Sequence, residues 1–211
     1  MADSQLSTPE PGLEAPAAVP ARKRPKPGER RVQILQALAT MLEQPGAERV
    51  TTAALAARLD VSEAALYRHF ASKAQMFEGL IEFIETTLFT LINKIAAETT
   101  DGAVQAQQIV AVLLGFAEKN PGMTRVLIGD ALVNEDERLQ ARMNQLYDRI
   151  EASLRQALRI AQAAGAWPGD PNAEAGVLLA FVIGRWQLFA KSGFKRMPQD
   201  GWDLQRKFLF G

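Results

Sequence analysis

The chain has 211 residues, 47% of them hydrophobic, and it carries 24 basic residues, 24 acidic residues, one histidine and no cysteine. This length allows one or two domains, the apolar content excludes a mainly disordered chain, and the lack of cysteine excludes disulfides and thiolate metal sites. Because no apolar run approaches the roughly 20 residues of a membrane-spanning helix and no signal pattern starts the sequence, we expect a soluble cytoplasmic protein.

The charges are distributed unevenly along the chain. Residues 22–75 hold ten bases and five acids, whereas residues 76–211 hold fourteen bases and sixteen acids. A net charge of zero argues against nucleic-acid binding, but this distribution concentrates the attraction for phosphate in the first third of the chain.

Residues 1–28 contain six of the eleven prolines and almost no large apolar residues, which predicts a disordered tail. Its end, RKRPKPGERR, is the densest basic run in the protein. Two interpretations stay open for this run: a solvated linker, or an arm that lies along the backbone or in the minor groove of DNA.

Residues 29–75 show three short helical patterns. The first, from Glu29 to Glu43, has apolar residues at helical spacing and predicts a supporting helix. The stretch TTAALAARLDVSEAALYRHFASK then predicts two amphipathic helices of about eight residues, the first capped by Thr51 or Thr52 and the second by Ser62. Because helices this short need support, the three together predict a helix-turn-helix unit whose last helix faces a DNA groove.

Residues on the outer side of this unit are the candidates for DNA contact. Near the helix start, Ser62 can donate or accept a hydrogen bond to a base edge and Ala64 can contact a thymine methyl. Thr51 lies at a helix N-terminus, where backbone N–H groups attract phosphate. The predicted DNA-binding residues are Thr51, Ser62, Glu63, Ala64, Tyr67, Arg68, His69 and Lys73.

A longer helical pattern begins after Ser72 and Gln75, which resemble a capping box. It predicts a fourth helix from Lys73 to about Glu98, with its apolar residues in one arc. Phe83 lies just outside this arc, so we expect a partly exposed aromatic side chain. The arc contains Met76, Phe77, Leu80, Ile81, Ile84, Leu88, Leu91, Ile92 and Ile95.

Five more helices are predicted in the rest of the chain. Asn120-Pro121-Gly122 marks a stop and a restart, with proline in the first turn of the next helix. No segment alternates apolar and polar residues as a strand would, so we predict an all-α fold of about nine helices. The five helices cover residues 104–119, 123–127, 135–164, 173–191 and 201–208.

Gly176, Ala180 and Gly184 stand four residues apart on the helix over 173–191. A stripe of small residues lets a neighbouring helix approach closely. We expect this stripe to form the interface of a homodimer, and tight packing within one chain is the alternative.

Catalytic residue patterns are weak in this sequence. His69 is the only histidine and lies in the predicted DNA-facing helix, and the acids at 135–137 are typical of a solvated helix start. No glycine-rich loop matches a nucleotide-binding pattern. We therefore expect neither an enzyme nor a bound metal or cofactor.

The helix-turn-helix over residues 49–77, followed by a long fourth helix and a helical C-terminal domain, resembles the TetR family of bacterial regulators. The chain accordingly divides into a tail (1–28), a helix-turn-helix DNA-binding domain (29–75) and a helical dimerisation and partner-binding domain (76–211). The stretches VSEAALYRHF, GLIEFIE, LLGFAEKNPGMTRVL and RLQARMNQLYDRIEASLRQ are similar to the nucleoid occlusion factors of this family. That similarity covers most of residues 30–160 and weakens beyond them.

The resemblance implies a nucleoid-associated homodimer on a palindromic double-stranded DNA site. It implies further that the bound dimer antagonises polymerisation of the tubulin-like division protein FtsZ by engaging the C-terminal tail of FtsZ. The family also implies phosphate contacts for Tyr67, His69 and Lys73.

The implied FtsZ-binding residues lie on the fourth and fifth helices. A groove there would offer an apolar floor and a cation at its rim, which suits an extended acidic and apolar peptide. Lys119 and Val112 stand where the family commonly has arginine and leucine, and lysine lacks the two-pronged fork of arginine. Alternatively, Phe83 and Val112 belong to the core. The implied residues are Phe83, Val112, Gly115, Lys119 and Asn120.

A ligand-responsive repressor of the TetR type is the alternative function. It requires a pocket enclosed by the fifth to eighth helices, in which a metabolite binds and lowers the affinity for DNA.

Overall fold

The computed structural model describes residues 28–44 and 50–211, so nearly all of the predicted tail and the loop over 45–49 lie outside the described residues. The described part forms helices and no strand, which confirms the all-α prediction. A short 3₁₀ helix, Asp130–Leu132, was not predicted. The α-helices are α1 (Glu29–Leu42), α2 (Thr52–Arg58), α3 (Glu63–Tyr67), α4 (Lys73–Glu98), α5 (Gly102–Lys119), α6 (Pro121–Leu127), α7 (Glu137–Ala163), α8 (Pro171–Lys191) and α9 (Trp202–Phe210).

Hydroxyl side chains cap the N-termini of α2, α3 and α4. The Thr51 hydroxyl accepts from the Ala54 N–H at 3.1 Å, so Thr51 rather than Thr52 caps α2. Ser62 accepts from Ala65 N–H at 3.3 Å, as predicted. The predicted capping box before α4 is only half formed, because Gln75 Oε1 accepts from the Ala71 N–H and not from that of Ser72.

Several helix boundaries differ from the predicted ones. The two short helices have seven and five residues instead of about eight. Helices α5 and α8 begin two residues earlier than predicted and α7 two residues later, because Asp101, Asp170 and Asp136 cap them. The apolar periodicity that predicted these helices does not reveal where a carboxylate satisfies the first free N–H groups.

One continuous apolar core joins the N-terminal helices α1 to α3 to the rest of the described chain. Helix α1 packs against α2, α4 and α6, while α5 lies centrally against α4, α6, α7, α8 and α9. Helices α6 and α1 approach each other closely at Gly122, where a Cβ atom would lie 1.9 Å from the backbone oxygen of Ala39 in α1. The first turn of α6 can therefore reach α1 only because residue 122 has no side chain.

Three arginines of α7 hold α4 in place. Arg142 forms a two-pronged contact with Glu85, with N–O distances of 2.7 and 3.3 Å, and this hydrogen-bonded carboxylate raises the pKa of Arg142. Arg138 pairs with Glu78 at 3.0 Å. Arg149 stacks on Phe89, with its guanidinium carbon 3.8 Å from the ring centre. Helix α4 is thus fixed along its polar side as well as through its apolar arc.

The prediction that no segment has the length and hydropathy of a membrane-spanning helix is wrong for α8. By those two criteria alone, Pro171–Lys191 qualifies among the described residues. One side of α8 is nevertheless buried in the protein core through Leu178, Val182 and Trp186. The Trp186 indole N–H also donates to the backbone oxygen of Leu113 at 3.0 Å. These contacts are those of a core helix.

We expect Gly122→Ala to lower the free energy of unfolding by about 3 kcal/mol or more, because the overlap with the Ala39 carbonyl forces α6 away from α1. Urea unfolding followed by circular dichroism measures this loss. Gly115→Ala is the matched control, because the new Cβ would meet only the flexible end of the Gln199 side chain, at 2.9 Å. Equal stability of the two variants would contradict this account of the contact between α1 and α6.

Candidate functional site

Helices α2 and α3 are held together by a polar network on their outer side. The Thr52 hydroxyl donates to Glu63 Oε2 at 2.6 Å, and the Tyr67 hydroxyl lies 3.5 Å from Thr52 Oγ1. The carboxylate of Glu63 is therefore occupied within the module. Tyr67, 44% exposed, has its ring fixed at the surface between the two helices.

The remaining outer residues of α3 are open to solvent. Ser62, Ala64 and Arg68 are exposed, and Leu66 and Phe70 on the opposite side are buried. The hydroxyls of Thr51 and Ser62 accept their capping bonds and keep a proton to donate. The surface thus presents hydroxyl donors, a methyl group and a cation. Such groups can hydrogen-bond to bases, contact a thymine methyl and attract phosphates.

The last arginine of the basic run lies in α1 and contacts the residues that follow α3. Arg31, in the first turns of α1, donates to the backbone oxygen of His69 at 2.5 Å, and its guanidinium carbon lies 4.2 Å from the Phe70 ring centre. Arg31 therefore connects α1 to the residues that directly follow α3. The earlier part of the basic run lies outside the described residues.

Lys73, a predicted DNA-binding residue, is already engaged within the protein. Its ammonium group pairs with Glu135, and the side chains are 30% and 13% exposed. Glu135 was predicted to be part of a solvated helix start. That prediction is wrong, because Glu135 lies two residues before α7 and its side chain contacts Lys73 at the start of α4. Lys73 thus connects the DNA-binding module to the C-terminal half.

A groove of about 520 Å³ runs between α4 and α5. All five residues predicted for partner binding border it, together with residues that sequence reasoning missed. Its lining consists of Phe83, Thr87, Leu91, Ala111, Val112, Gly115, Phe116, Lys119, Asn120 and Gln199.

The α4 wall of the groove is a row of residues at helical spacing. Phe83 is 49% exposed, so it is not a core residue, and Thr87 and Leu91 follow it at one-turn intervals. Leu91 was predicted to lie in the buried arc, but it is 37% exposed and faces the groove. The spacing from Phe83 alone could have identified both missed residues.

The α5 wall ends in polar groups. Lys119 is exposed and has no ion-pair partner in the part of the chain that the structure describes. The Asn120 amide donates to the Phe116 backbone oxygen at 2.7 Å and so caps the end of α5. The mainly apolar lining of the groove thus ends at the Lys119 ammonium group.

Comparison with known proteins identifies the family. Residues 34–80 match the family model of the bacterial regulatory proteins of the tetR family, and residues 100–211 match the SlmA-like model of the tetracyclin repressor-like C-terminal domain. The nucleoid occlusion factor SlmA of Alteromonas mediterranea is 51% identical over 182 residues, which are 85% of this chain and 93% of that protein. The chain belongs to the SlmA family, within the TetR family.

Other relatives agree with this assignment. SlmA of Enterobacter sp. is 50% identical over 189 residues, 88% of this chain and 95% of that protein. The TetR-family regulator PfmR of Thermus thermophilus shares the fold with a TM-score of 0.72 at 21% identity, over 84% of this chain and 97% of PfmR. The similarity was expected to weaken beyond residue 160, but the SlmA-like C-terminal model extends to residue 211.

In this SlmA-family chain, the stripe of small residues on α8 faces outward. Ala180 and Gly184 are exposed, and a Cβ atom on Gly176 or Gly184 would have no neighbour within 4 Å. Close packing within one chain therefore does not account for the stripe. Val177, 58% exposed, extends it as an apolar surface.

A second groove of about 490 Å³ lies between α4, α5 and α7 of this family member. Apolar and uncharged polar side chains line it, among them Asn93, Gln105 and Ser153. The region between α5 and α8 is occupied by Trp186, which is fully buried. Among residues 28–44 and 50–211, no three acidic or histidine side chains form a group suited to a metal ion.

Proposed function

We propose that this chain is a nucleoid occlusion factor: a nucleoid-associated, DNA-bound homodimer that antagonises FtsZ polymerisation over the chromosome. Membership of the SlmA family supports this proposal. The observation that carries it is that the five residues predicted for partner binding all border the same groove, namely Phe83, Val112, Gly115, Lys119 and Asn120. In this proposal residues 29–75 bind DNA, residues 76–211 dimerise and bind the partner, and the chain catalyses no reaction.

The groove suits an extended peptide that is both apolar and acidic. Phe83, Leu91 and Val112 supply a partly exposed apolar floor. Lys119 at the rim has no ion-pair partner among the described residues, so a carboxylate of the peptide gains a new partner there. Since lysine offers a point charge and no planar fork, this contact supports attraction more than orientation.

We further propose that the exposed face of α2 and α3 enters the major groove of DNA. Ser62 and Ala64 contact base edges, Arg68 contacts a base edge or a phosphate, and Glu63 orients Tyr67 through Thr52. Thr51, Tyr67, His69 and Lys73 contact phosphates. A homodimer through Gly176, Ala180 and Gly184 places two such faces about a two-fold axis, which requires a palindromic site.

The rival function, a ligand-responsive repressor, has less support. Its ligand would lie in a pocket enclosed by helices α5 to α8, and within that region Trp186 is buried and hydrogen-bonded to Leu113. The groove beside Phe83 opens to the surface instead, where a protein segment can enter it.

Adding the protein together with a palindromic DNA site should shorten FtsZ polymers, and sedimentation or light scattering measures that effect. Phe83→Ala should keep the DNA affinity and weaken binding of the FtsZ tail roughly tenfold or more, because a central aromatic anchor is lost. Phe208→Ala, which truncates a phenylalanine that is 91% exposed on α9, is the matched control. Unchanged polymers at saturating DNA would sink the proposed function.

Glu135→Gln should tighten binding to DNA about threefold, because Lys73 loses its partner within the protein and becomes available to a phosphate. Fluorescence anisotropy with a labelled duplex at several salt concentrations measures this change. Glu137→Gln removes the same charge from a neighbouring exposed position and serves as the control. Equal tightening in both variants would mean that net charge, and not the release of Lys73, is responsible.

Gly184→Ala should weaken the homodimer by roughly tenfold or more, because the added methyl group separates two helices that meet at this stripe. In the isolated chain the same change meets open space and favours the helix, so the stability of the monomer should not fall. Analytical ultracentrifugation measures the dissociation constant, with Thr86→Ala on α4 as a helix-favouring control. A stabilised protein with unchanged dimer affinity would place the interface elsewhere.

A further inference from the structure

The segment between α8 and α9 forms one end of the groove. Gln199 is the lining residue that comes from outside α4, α5 and the turn after them. Its side-chain nitrogen lies where it would be 2.9 Å from a Cβ on Gly115. The amide therefore rests on the backbone of α5, at the one position in this wall that lacks a side chain.

Two side chains from other helices hold this segment through hydrogen bonds to its backbone. The Arg185 guanidinium, on α8, donates to the backbone oxygens of Pro198, Met197 and Asp200 at 2.9, 2.8 and 2.8 Å. The Gln199 backbone N–H donates to a Glu118 carboxylate oxygen at 3.3 Å. Because side chains of both α8 and α5 bind this segment, its backbone has a fixed position at the end of the groove.

The backbone of Gln199 is held in position, and the hydrogen-bonding groups of its side chain are unused. Gln199 is exposed, and neither its amide nitrogen nor its amide oxygen has a hydrogen-bond partner in the structurally described chain. An amide offers donors and an acceptor together, which matches the N–H and C=O groups of an extended peptide backbone. By contrast, the Asn120 amide at the same end of the groove already donates to α5.

We propose that Gln199 is a peptide-recognition residue of this groove and that Arg185 is the residue that positions it. The inference rests on the proposed function, because the ligand is the same acidic and apolar tail segment. Gln199 pairs with the backbone of that segment where it crosses Gly115, while Phe83 and Lys119 bind its side chains. Gly115 is required because a side chain there displaces the Gln199 amide.

Titration of the DNA-bound full-length dimer with a synthetic FtsZ C-terminal tail peptide tests this role. Gln199→Ala should weaken peptide binding roughly fivefold, the scale of one lost hydrogen-bonding side chain, and leave DNA affinity unchanged. Gln107→Ala, a glutamine on α5 that borders a different depression, should bind the peptide normally. Gly115→Ala should resemble Gln199→Ala.

A double-mutant cycle tests the role of Arg185. Arg185→Lys keeps the charge but loses the three fixed donors, so it should weaken peptide binding alone and add nothing in the Gln199→Ala background. A purely structural role would weaken binding equally in both backgrounds, and that result would overturn the positioning role.

The outcomes separate this inference from the proposed function. Weak binding by Phe83→Ala with normal binding by Gln199→Ala would overturn the inference and keep the groove. An unmodified protein that fails to bind the peptide, or a Phe83→Ala variant that binds it normally, would instead overturn the groove assignment itself.

Discussion

The proposed activity depends on α4 being one unbroken helix. It has 26 residues, which at 1.5 Å per residue span about 39 Å. Lys73 at its start belongs to the DNA-binding module, and Phe83, ten residues on, lines the groove, about 15 Å along the axis. Because α4 is continuous, the DNA-binding end and the α4 wall of the groove belong to one element with no break between Lys73 and Phe83.

Helix α7 and the turn before it contact α4 at two places. Arg142 and Arg149 fix the middle of α4, whereas Lys73 at its start is held by Glu135, two residues before α7 begins. A DNA phosphate and Glu135 are competing partners for the Lys73 ammonium in the proposed function. In that proposal Lys73 has one partner in the free protein and another in the DNA-bound protein, and two such states are the minimum that coupling between two sites requires.

Local signals in the sequence predicted much of this molecule, and long-range pairings escaped prediction. The caps at Ser62 and Ser72, the extent of α4 and the exposure of Phe83 all follow from spacing within a few residues. The Lys73–Glu135 pair joins residues 62 positions apart, and Gln199 reaches α5 from a segment beyond α8. Periodicity identifies the face on which a residue lies, but only the packing of distant helices determines what that face meets.

Because position 119 is a lysine, the proposed alignment of a bound peptide depends more on Gln199. A lysine ammonium attracts an acidic peptide but accepts many directions of approach, so it fixes neither the register nor the polarity of an extended chain. An amide resting on Gly115 accepts and donates along defined directions. A groove that has Lys119 at its rim therefore draws its attraction from that charge and its alignment from Gln199 and the aromatic ring of Phe83. These three groups come from three separate segments, so recognition depends on the packing of α8 against α5 as much as on the groove helices themselves.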